Sequence, residues 1–529
     1  MAKNKPKIEA KGNTKLSILL AMAMFVLVVD TSIMNVSLSA VVKDLGTTVS
    51  DLQAAIALEA LVSAAFILIS SKLGDIFGRK RAYVLGLLGY AIGAIAMTLT
   101  HSIAAVFIFW AIIGGLGASL LLPAMQSLIH GNFTGAAQRK TYALVGAAAA
   151  IAAAVGPLLG GFLTTYITWR AGFFLEAVVI AIILLNIGLV KDVVYEGPRK
   201  IDFVGALLSV VGMGGVVLGI LLWQEGAESV GLVIAIGLVG LSLLAYWLIK
   251  RKREGKTYLL DPGLFKLPHF RLGISQVMMQ NIILGGSMIA LPIFLQMTLE
   301  YNAMKTGLTL APLSLTMFAV AILTGKRAGN RRPSSIIRAG FILSTLGLAC
   351  ILPIIPRTDS GWILAIPLMI VGAGLGLLVS QLNNYTLAPI DEKHVSEAAG
   401  VNSASGSFGL SFGLAMAGGI MLAVLAFSFT NLTNESTVIP PAEQQQISTT
   451  LEDDAEIMSN SQLEQQLEGQ PQNIQDEVLS INTEARSRSL QIALLVPIFA
   501  GLVGIFNSFR MMRLPDIKPS AAAEAAALG

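Results

Sequence analysis

The chain has 529 residues, of which 54% are hydrophobic and 13% charged, about half the charged fraction of an ordinary soluble domain. Its net charge of +4 is small, and the basic residues fall in short runs between apolar segments, which excludes a nucleic-acid-binding surface. The single cysteine, Cys350, excludes an intramolecular disulfide, and His101, His130, His269 and His394 are scattered without the spacing of a metal site.

Lys3, Lys5, Lys7, Lys11 and Lys15 precede the first apolar stretch, Leu16–Leu38. That stretch is longer than the roughly 7–15-residue core of a secretory leader, and Ser37-Leu38-Ser39-Ala40 matches a cleavage site only loosely. An uncleaved first span is expected. Apolar runs of about 20 residues cross a bilayer as helices. That template predicts fourteen spans near 16–39, 52–72, 82–100, 103–125, 140–165, 171–190, 203–223, 229–249, 272–298, 306–325, 336–355, 362–382, 397–428 and 489–509. Their backbone groups must be bonded internally, and the short alternating segments of a β-barrel are absent, so the expected class is an all-α integral membrane protein. Lysine and arginine cluster in alternate loops, including Lys72 with Arg79–Arg81, Arg139/Lys140, Lys250–Arg253 and Arg510/Arg513. The positive-inside rule puts both termini in the cytoplasm.

Two carboxylates interrupt the first two spans, Asp30 and Glu59. A charge at membrane depth costs a few kcal/mol and persists where it faces a bundle interior or a water-filled path. Span 1 runs outward and span 2 inward, so the two acids sit at similar depths, roughly 10–12 Å below the outer ends at 1.5 Å per residue. They are candidates for a coupled pair that exchanges protons or attracts a cationic solute. The alternative is that Asp30 bonds span 1 locally while Glu59 pairs with a polar neighbour. Glu176, near the outer end of span 6, is a weaker candidate because it could snorkel to the surface. Gln126, Gln280, Asn281, Gln296, Asn383, Asn384 and Asn402 could line a cavity, although hydrogen bonding between helices is the commoner job of such residues.

Between spans 2 and 3 the chain reads Gly74-Asp75-Ile76-Phe77-Gly78-Arg79-Lys80-Arg81. This stretch resembles the cytoplasmic loop signature of the major facilitator superfamily, G-x-L-a-D-r-x-G-r-k-r. The resemblance implies a conformational latch, with Gly74, Asp75, Gly78 and Arg79 in gating. Asp30-Thr31-Ser32-Ile33-Met34-Asn35-Val36 resembles the span 1 signature of the drug:proton antiporter branch with fourteen spans, and Gly156-Pro157-Leu158-Leu159-Gly160-Gly161 its antiporter motif in span 5. Asn35 thereby joins the cavity candidates, and Gly156, Pro157, Gly160 and Gly161 the gating set. Trp169-Arg170 matches the loop before span 6, Leu291–Gln296 and Gly307 with Pro312 match spans 9 and 10, and Gly325–Arg332 is a degraded second loop signature. The branch's span 4 arginine is missing, its R-x-x-Q-G pattern falling on Ala111, Gly114 and Gly115; Glu59 stands where the branch has an uncharged residue.

The resemblance implies a major facilitator fold with two six-helix bundles plus two additional central helices. The corresponding division is a cytoplasmic tail (1–15), an N-terminal bundle (16–200), two linker spans (201–255), a C-terminal bundle (256–510) and a cytoplasmic tail (511–529). Residues 430–488 form a polar, acidic insert that the span count places outside. Within it, Ile447, Leu451, Ala455 and Met458, then Ile474, Val478, Ile481 and Ala485, recur at helical spacing. Ser461 with Glu464 has capping-box spacing, and Gly469 with Pro471 reads as a break. A helical insert extending the last span is expected. It is either a solvated loop, a docking surface for an extracytoplasmic partner, or a lip that helps a lipid-like substrate leave.

The function implied is proton-coupled export of amphipathic or cationic compounds across the plasma membrane by alternating access, through a cavity between the bundles. The chain would act as a monomer in the lipid bilayer on a small amphipathic or lipid-like substrate. No cofactor is expected, the proton gradient supplying the energy, because no G-x-x-x-x-G-K-[ST] loop is present. No enzyme activity is expected, since no nucleophile, base and orienting group assemble. Export of a lipid or lipid-linked molecule, or a non-transporting scaffold or receptor role, stays open.

Overall fold

The computed structural model describes residues 13–133, 135–192, 201–224, 229–326, 332–358, 360–390, 394–440, 444 and 460–515. Among these, every regular element is helical. The first half contains α1 (Thr14–Leu45), α2 (Val49–Phe77), α3 (Arg79–Leu99), α4 (Ile103–Ala105, then the π-helical stretch Val106–Gly114, then Gly115–Asn132), α5 (Gly135–Tyr166) and α6 (Arg170–Leu185). Two linker helices follow, α7 (Phe203–Gln224) and α8 (Val230–Arg253). The second half contains α9 (Pro268–Ile293, with a π-turn Phe294–Thr298), α10 (Ala303–Lys326), α11 (Pro333–Ile351), α12 (Ala365–Leu387), α13 (Val395–Glu435) and α14 (Gln472–Ala493 and Leu495–Met512).

Thirteen of the described helices are long and apolar enough to cross a bilayer. The other, α6, has 16 residues, about 24 Å at 1.5 Å per residue. It ends early because the Asn186 side chain donates to the Ile182 carbonyl at 2.8 Å, a local bond that competes with continued helix. A 3₁₀ turn, Ile187–Leu189, completes the passage.

α13 and α14 overrun the expected spans in the other direction, covering 41 residues each. Much of the expected insert is therefore a continuation of these two helices. Its apolar positions meet: Leu425 and Phe429 of α13 pack with Ile474, Val478, Ile481 and Ala485 of α14, along with Ile439 and Leu463. Gly469, with φ at 98°, and Pro471, which caps α14, make the anticipated break. The capping box does not form. Ser461 lies inside the short helix Asn460–Gln466, and its N–H and O–H both go to the Glu300 carboxylate. The apolar repeat at Ile447–Met458 falls outside the described residues.

Helices α1–α6 pack as one bundle and α9–α14 as another, with α2 against α13 and α5 against α10 where the bundles meet. The linker pair α7–α8 lies along this junction, α7 touching both α2 and α13. Small residues set the spacing. A Cβ at Gly156 would fall 2.5 Å from the Ser32 side chain, one at Gly160 2.9 Å from Ile33, and one at Gly161 2.6 Å from the Ala303 carbonyl. Gly307 lies against the Pro157 carbonyl in the same way. Thus α5 fits closely onto α1 in its own bundle and onto α10 across the junction.

Candidate functional site

α1 carries two different faces. Thr31, Ser32 and Asn35 line a cavity of about 270 Å³ between the bundles, whose other walls include Pro157 of α5, Ser287 and Pro292 of α9 and Ser314 of α10. Asp30 points the other way, into its own bundle, and is 1% exposed. There Tyr90 of α3 donates its hydroxyl to one carboxylate oxygen, and Trp110 of α4 donates its indole N–H to both at 3.1 Å. Trp110 sits in the π-helical stretch Val106–Gly114, a local widening that recurs at functional sites because it re-aims a side chain.

Glu59 of α2 and Glu176 of α6 both lie within electrostatic reach of Asp30. Tyr90 is close enough to interact with all three. Glu59 is 9% and Glu176 3% exposed, so Glu176 is turned inward and does not snorkel. Both Glu176 oxygens lack a hydrogen-bond partner among the described residues. Glycines make room for the group. Gly115 lets α4 approach the Glu59 carbonyl, where a Cβ would be 2.8 Å away, and Gly117 lets it approach the Tyr90 backbone at 2.7 Å. The only buried cation described in this half is Arg79, at the far end of α3. Three carboxyls therefore share one apolar interior with no arginine among them in the described residues, consistent with Ala111 standing where the branch's arginine is expected. A cluster of this kind can take up and hand on protons, because each acid has a neighbouring acid rather than a fixed counter-ion.

The cavity is closed on the face opposite the basic loops. The Gln296 side chain accepts from the Ser39 N–H at 3.0 Å and donates to the Val36 carbonyl at 2.9 Å, tying α9 to α1. Thr165 accepts from the Met304 N–H at 3.0 Å, and Ser411 donates to the Ala57 carbonyl at 2.7 Å. On the same face Arg170 pairs with Asp44 at 2.6 Å, donates to the Thr100 carbonyl and stacks on Trp169, joining α1, α3 and α6.

The loop signature lies on the basic face. Gly78 adopts φ 104°, open to glycine at little cost, and a Cβ there would fall 2.5 Å from Asp192. Asp192 also accepts from the Lys80 N–H at 2.9 Å, so the segment after α6 is fastened to the start of α3. Arg79 is buried and lies over Gly74. Asp75 falls in α2, but its side chain is outside the described residues, as is most of the second loop signature at 325–332.

The structure thus brings Asp30, Glu59 and Glu176 together, places Asn35 on the cavity face instead, and puts Gly156, Gly160 and Gly161 at helix contacts and Gly78 in the turn before α3. Of the neutral polar candidates, Gln296 joins the bundles, Asn402 donates to Asn383 at 2.9 Å, and Asn281 bonds back to the Val277 carbonyl. None of these lines the cavity. Sequence reasoning did not single out Tyr90, Trp110 or Asp192. A tyrosine and a tryptophan within apolar spans do carry a signal, since each has a polar group that must find a partner when buried.

The family model for the Major Facilitator Superfamily matches residues 20–414. The chain is 26% identical over 412 residues to the "Probable actinorhodin transporter" of Streptomyces coelicolor, covering 76% of this chain and 71% of that protein. It is 27% identical over 422 residues to "Multidrug resistance protein Stp" of Mycobacterium tuberculosis, covering 78% and 77%. Its fold is similar to that of a peptide transporter POT crystallised with sulfate, with a TM-score of 0.60 at 17% identity over 95% of this chain and 96% of that one. With the two bundles, the shared junction and a family match over most of its length, this multi-pass membrane chain belongs to the Major Facilitator Superfamily.

Proposed function

We propose that the protein is a proton-coupled exporter of amphipathic or cationic compounds, working by alternating access in the plasma membrane with both termini in the cytoplasm. The observation that carries this reading is the double role of α1. One face holds Asp30 among Glu59, Glu176, Tyr90 and Trp110, and the other lines the cavity between the bundles. A proton gained or lost at Asp30 changes what Tyr90 and Trp110 hold, and a shift or rotation of α1 carries that change to the cavity wall. The cavity wall is apolar apart from hydroxyls and Asn35, which suits a substrate with a large apolar body. The names of the relatives, a probable antibiotic transporter and a multidrug resistance protein, favour drug export over lipid export or a scaffold role. The hydrogen bonds at Gln296, Thr165 and Ser411 close the outer side, so the conformation described is the one that would face the cytoplasm.

The test is dye movement in proteoliposomes under an imposed pH gradient, comparing the intact protein with Asp30→Asn and Glu59→Gln. Gradient-driven movement that disappears in Asp30→Asn supports coupling through the cluster. Movement indifferent to the gradient and to both substitutions overturns it.

A further inference from the structure

A second site lies away from the transport cavity, where α8 meets the segment leading into α9. A groove of about 620 Å³ runs along one face of α8, through Leu241, Leu244, Leu248 and Ile249, and is closed on its other side by Leu260, Pro262 and Phe265. Leu241, Leu244 and Leu248 recur every three or four residues, with Ile249 beside them, so they form one continuous apolar strip. At the end of the strip the lining changes to Lys252, Arg253 and Lys266. The apolar part lies within a helix apolar enough to span a bilayer, and the cationic part stands at its final turn.

The three cations are not equivalent. Lys252 is clasped by Asp261 at 2.5 Å and lies over Gly263, where a Cβ would fall 2.6 Å from its Nζ. Burial would raise the Asp261 carboxyl, but the Lys252 ammonium and the Gly263 N–H outweigh that and hold it below the ordinary carboxylate value. It stays charged and answers Lys252. Arg251, next in sequence, is turned away: it donates to the Thr257 carbonyl and lies over the Trp247 ring. Arg253 and Lys266 are both exposed at the rim of the groove.

We propose that this groove binds one anionic phospholipid of the cytoplasmic leaflet, its acyl chain along the Leu241–Ile249 strip and its headgroup phosphate against Arg253 and Lys266. Free phosphate would have no use for the apolar strip, and a neutral lipid none for the two cations; an anionic lipid meets both. Leu248 and Leu260 of the groove share a core cluster with Ile67 of α2 and Ala398 of α13, so a lipid seated there would bear on helices that meet at the junction of the bundles. The site depends on the cytoplasmic placement of the basic loops but not on proton coupling.

Native mass spectrometry of the full chain, titrated with phosphatidylglycerol or phosphatidylcholine, tests this. The intact protein should retain one phosphatidylglycerol more tightly than the rest and show no such preference for phosphatidylcholine. Arg253→Ala with Lys266→Ala should weaken that lipid by roughly thirtyfold, the effect of two juxtamembrane charges. Leu244→Trp, which fills the strip and leaves the charges, should also displace it. Lys250→Ala, on the same turn but outside the groove, should leave it in place. Equal weakening by Lys250→Ala, or retention unaffected by the double substitution, overturns the proposal.

Discussion

The two bundles share a helical plan but not a chemistry. The N-terminal bundle buries Asp30, Glu59 and Glu176 in its interior, whereas the described residues of the C-terminal bundle bury neutral amides at several depths: Gln276, Gln296, Gln381 and Asn402. Its buried ionisable residues stand nearer the ends, His269 against the Pro515 carbonyl and Arg486 bonded to Asn482 on the helix extension. Buried amides join helices and keep the same charge at every working pH, while buried carboxyls change state. The contrast sets titratable carboxyls in the first bundle against fixed amides in the second, and on the proposed function this is a division of labour in which proton handling falls to the first.

The sharpest way to break that division is to neutralise one acid and one amide in parallel. Asp30→Asn should reduce gradient-driven transport to background, because it removes the titratable group that Tyr90 and Trp110 hold. Gln276→Leu should keep the gradient dependence, although it loses the bond from the Gln276 amide to the Gly504 carbonyl at 2.9 Å and about 1 kcal/mol of stability. Transport at several pH values with the gradient reversed reads both. If Gln276→Leu flattened the pH response as Asp30→Asn does, proton handling would be spread over both bundles.

Next in size is the contact of α5 with α10. Gly307→Ala would drive a methyl group into the Pro157 carbonyl, with no flexible side chain to yield. Overpacking of this kind costs about 1–3 kcal/mol, charged only to the state in which the outer side is closed. The outward-open population should rise by roughly ten- to a hundredfold. Spin labels on Lys43 and Lys305, in a Cys350→Ser background, would report a longer distance. An unchanged distance would mean that α5 and α10 do not part at this point.

Gln296→Ala probes the same closure from α9 and should do no more. It deletes two hydrogen bonds across the junction, to Ser39 and Val36, each worth about 0.5–1.5 kcal/mol. The same label pair should move in the same direction as in Gly307→Ala, by at most the same shift in population. A larger shift would make Gln296 the principal lock on the outer side.

Most of this architecture was legible because membrane helices announce themselves by length and apolarity, and because glycine patterns mark close helix contacts. Gly156, Gly160 and Gly161 pack as their spacing suggests. Asp30 and Glu59 stood out because each is a charge inside an apolar run. Their partners did not, since Tyr90 and Trp110 look like ordinary apolar-span aromatics until the π-helical stretch aims Trp110 at Asp30. Glu176 was undervalued because depth along a helix is readable from sequence but the direction a side chain faces is not. The helical spacing of Ile474, Val478, Ile481 and Ala485 is readable in the insert, but the surface that covers this strip is not. The insert's polar composition marks water, but a helix such as α14 can leave the membrane and stay helical where its apolar strip finds a partner in α13.

The smallest effect tests whether that extension matters to transport at all. Glu300 follows the π-turn Phe294–Thr298 that carries Gln296, and its backbone lies at φ 52°, a left-handed conformation that costs a non-glycine residue about 1–2 kcal/mol. Its carboxylate is held by the Ser461 N–H and O–H, from the short helix beyond the membrane. The insert thereby helps to fix a residue four positions from the lock on the outer side. Ser461→Ala removes one of these bonds at an exposed site, so it should shift the Lys43–Lys305 distance distribution by about twofold in population at most. A shift as large as that of Gln296→Ala would move the control of closure out of the bundle and into the insert. No shift, together with an unchanged melting temperature, would show that Glu300 is held by its other neighbours and that the extension does not reach the lock.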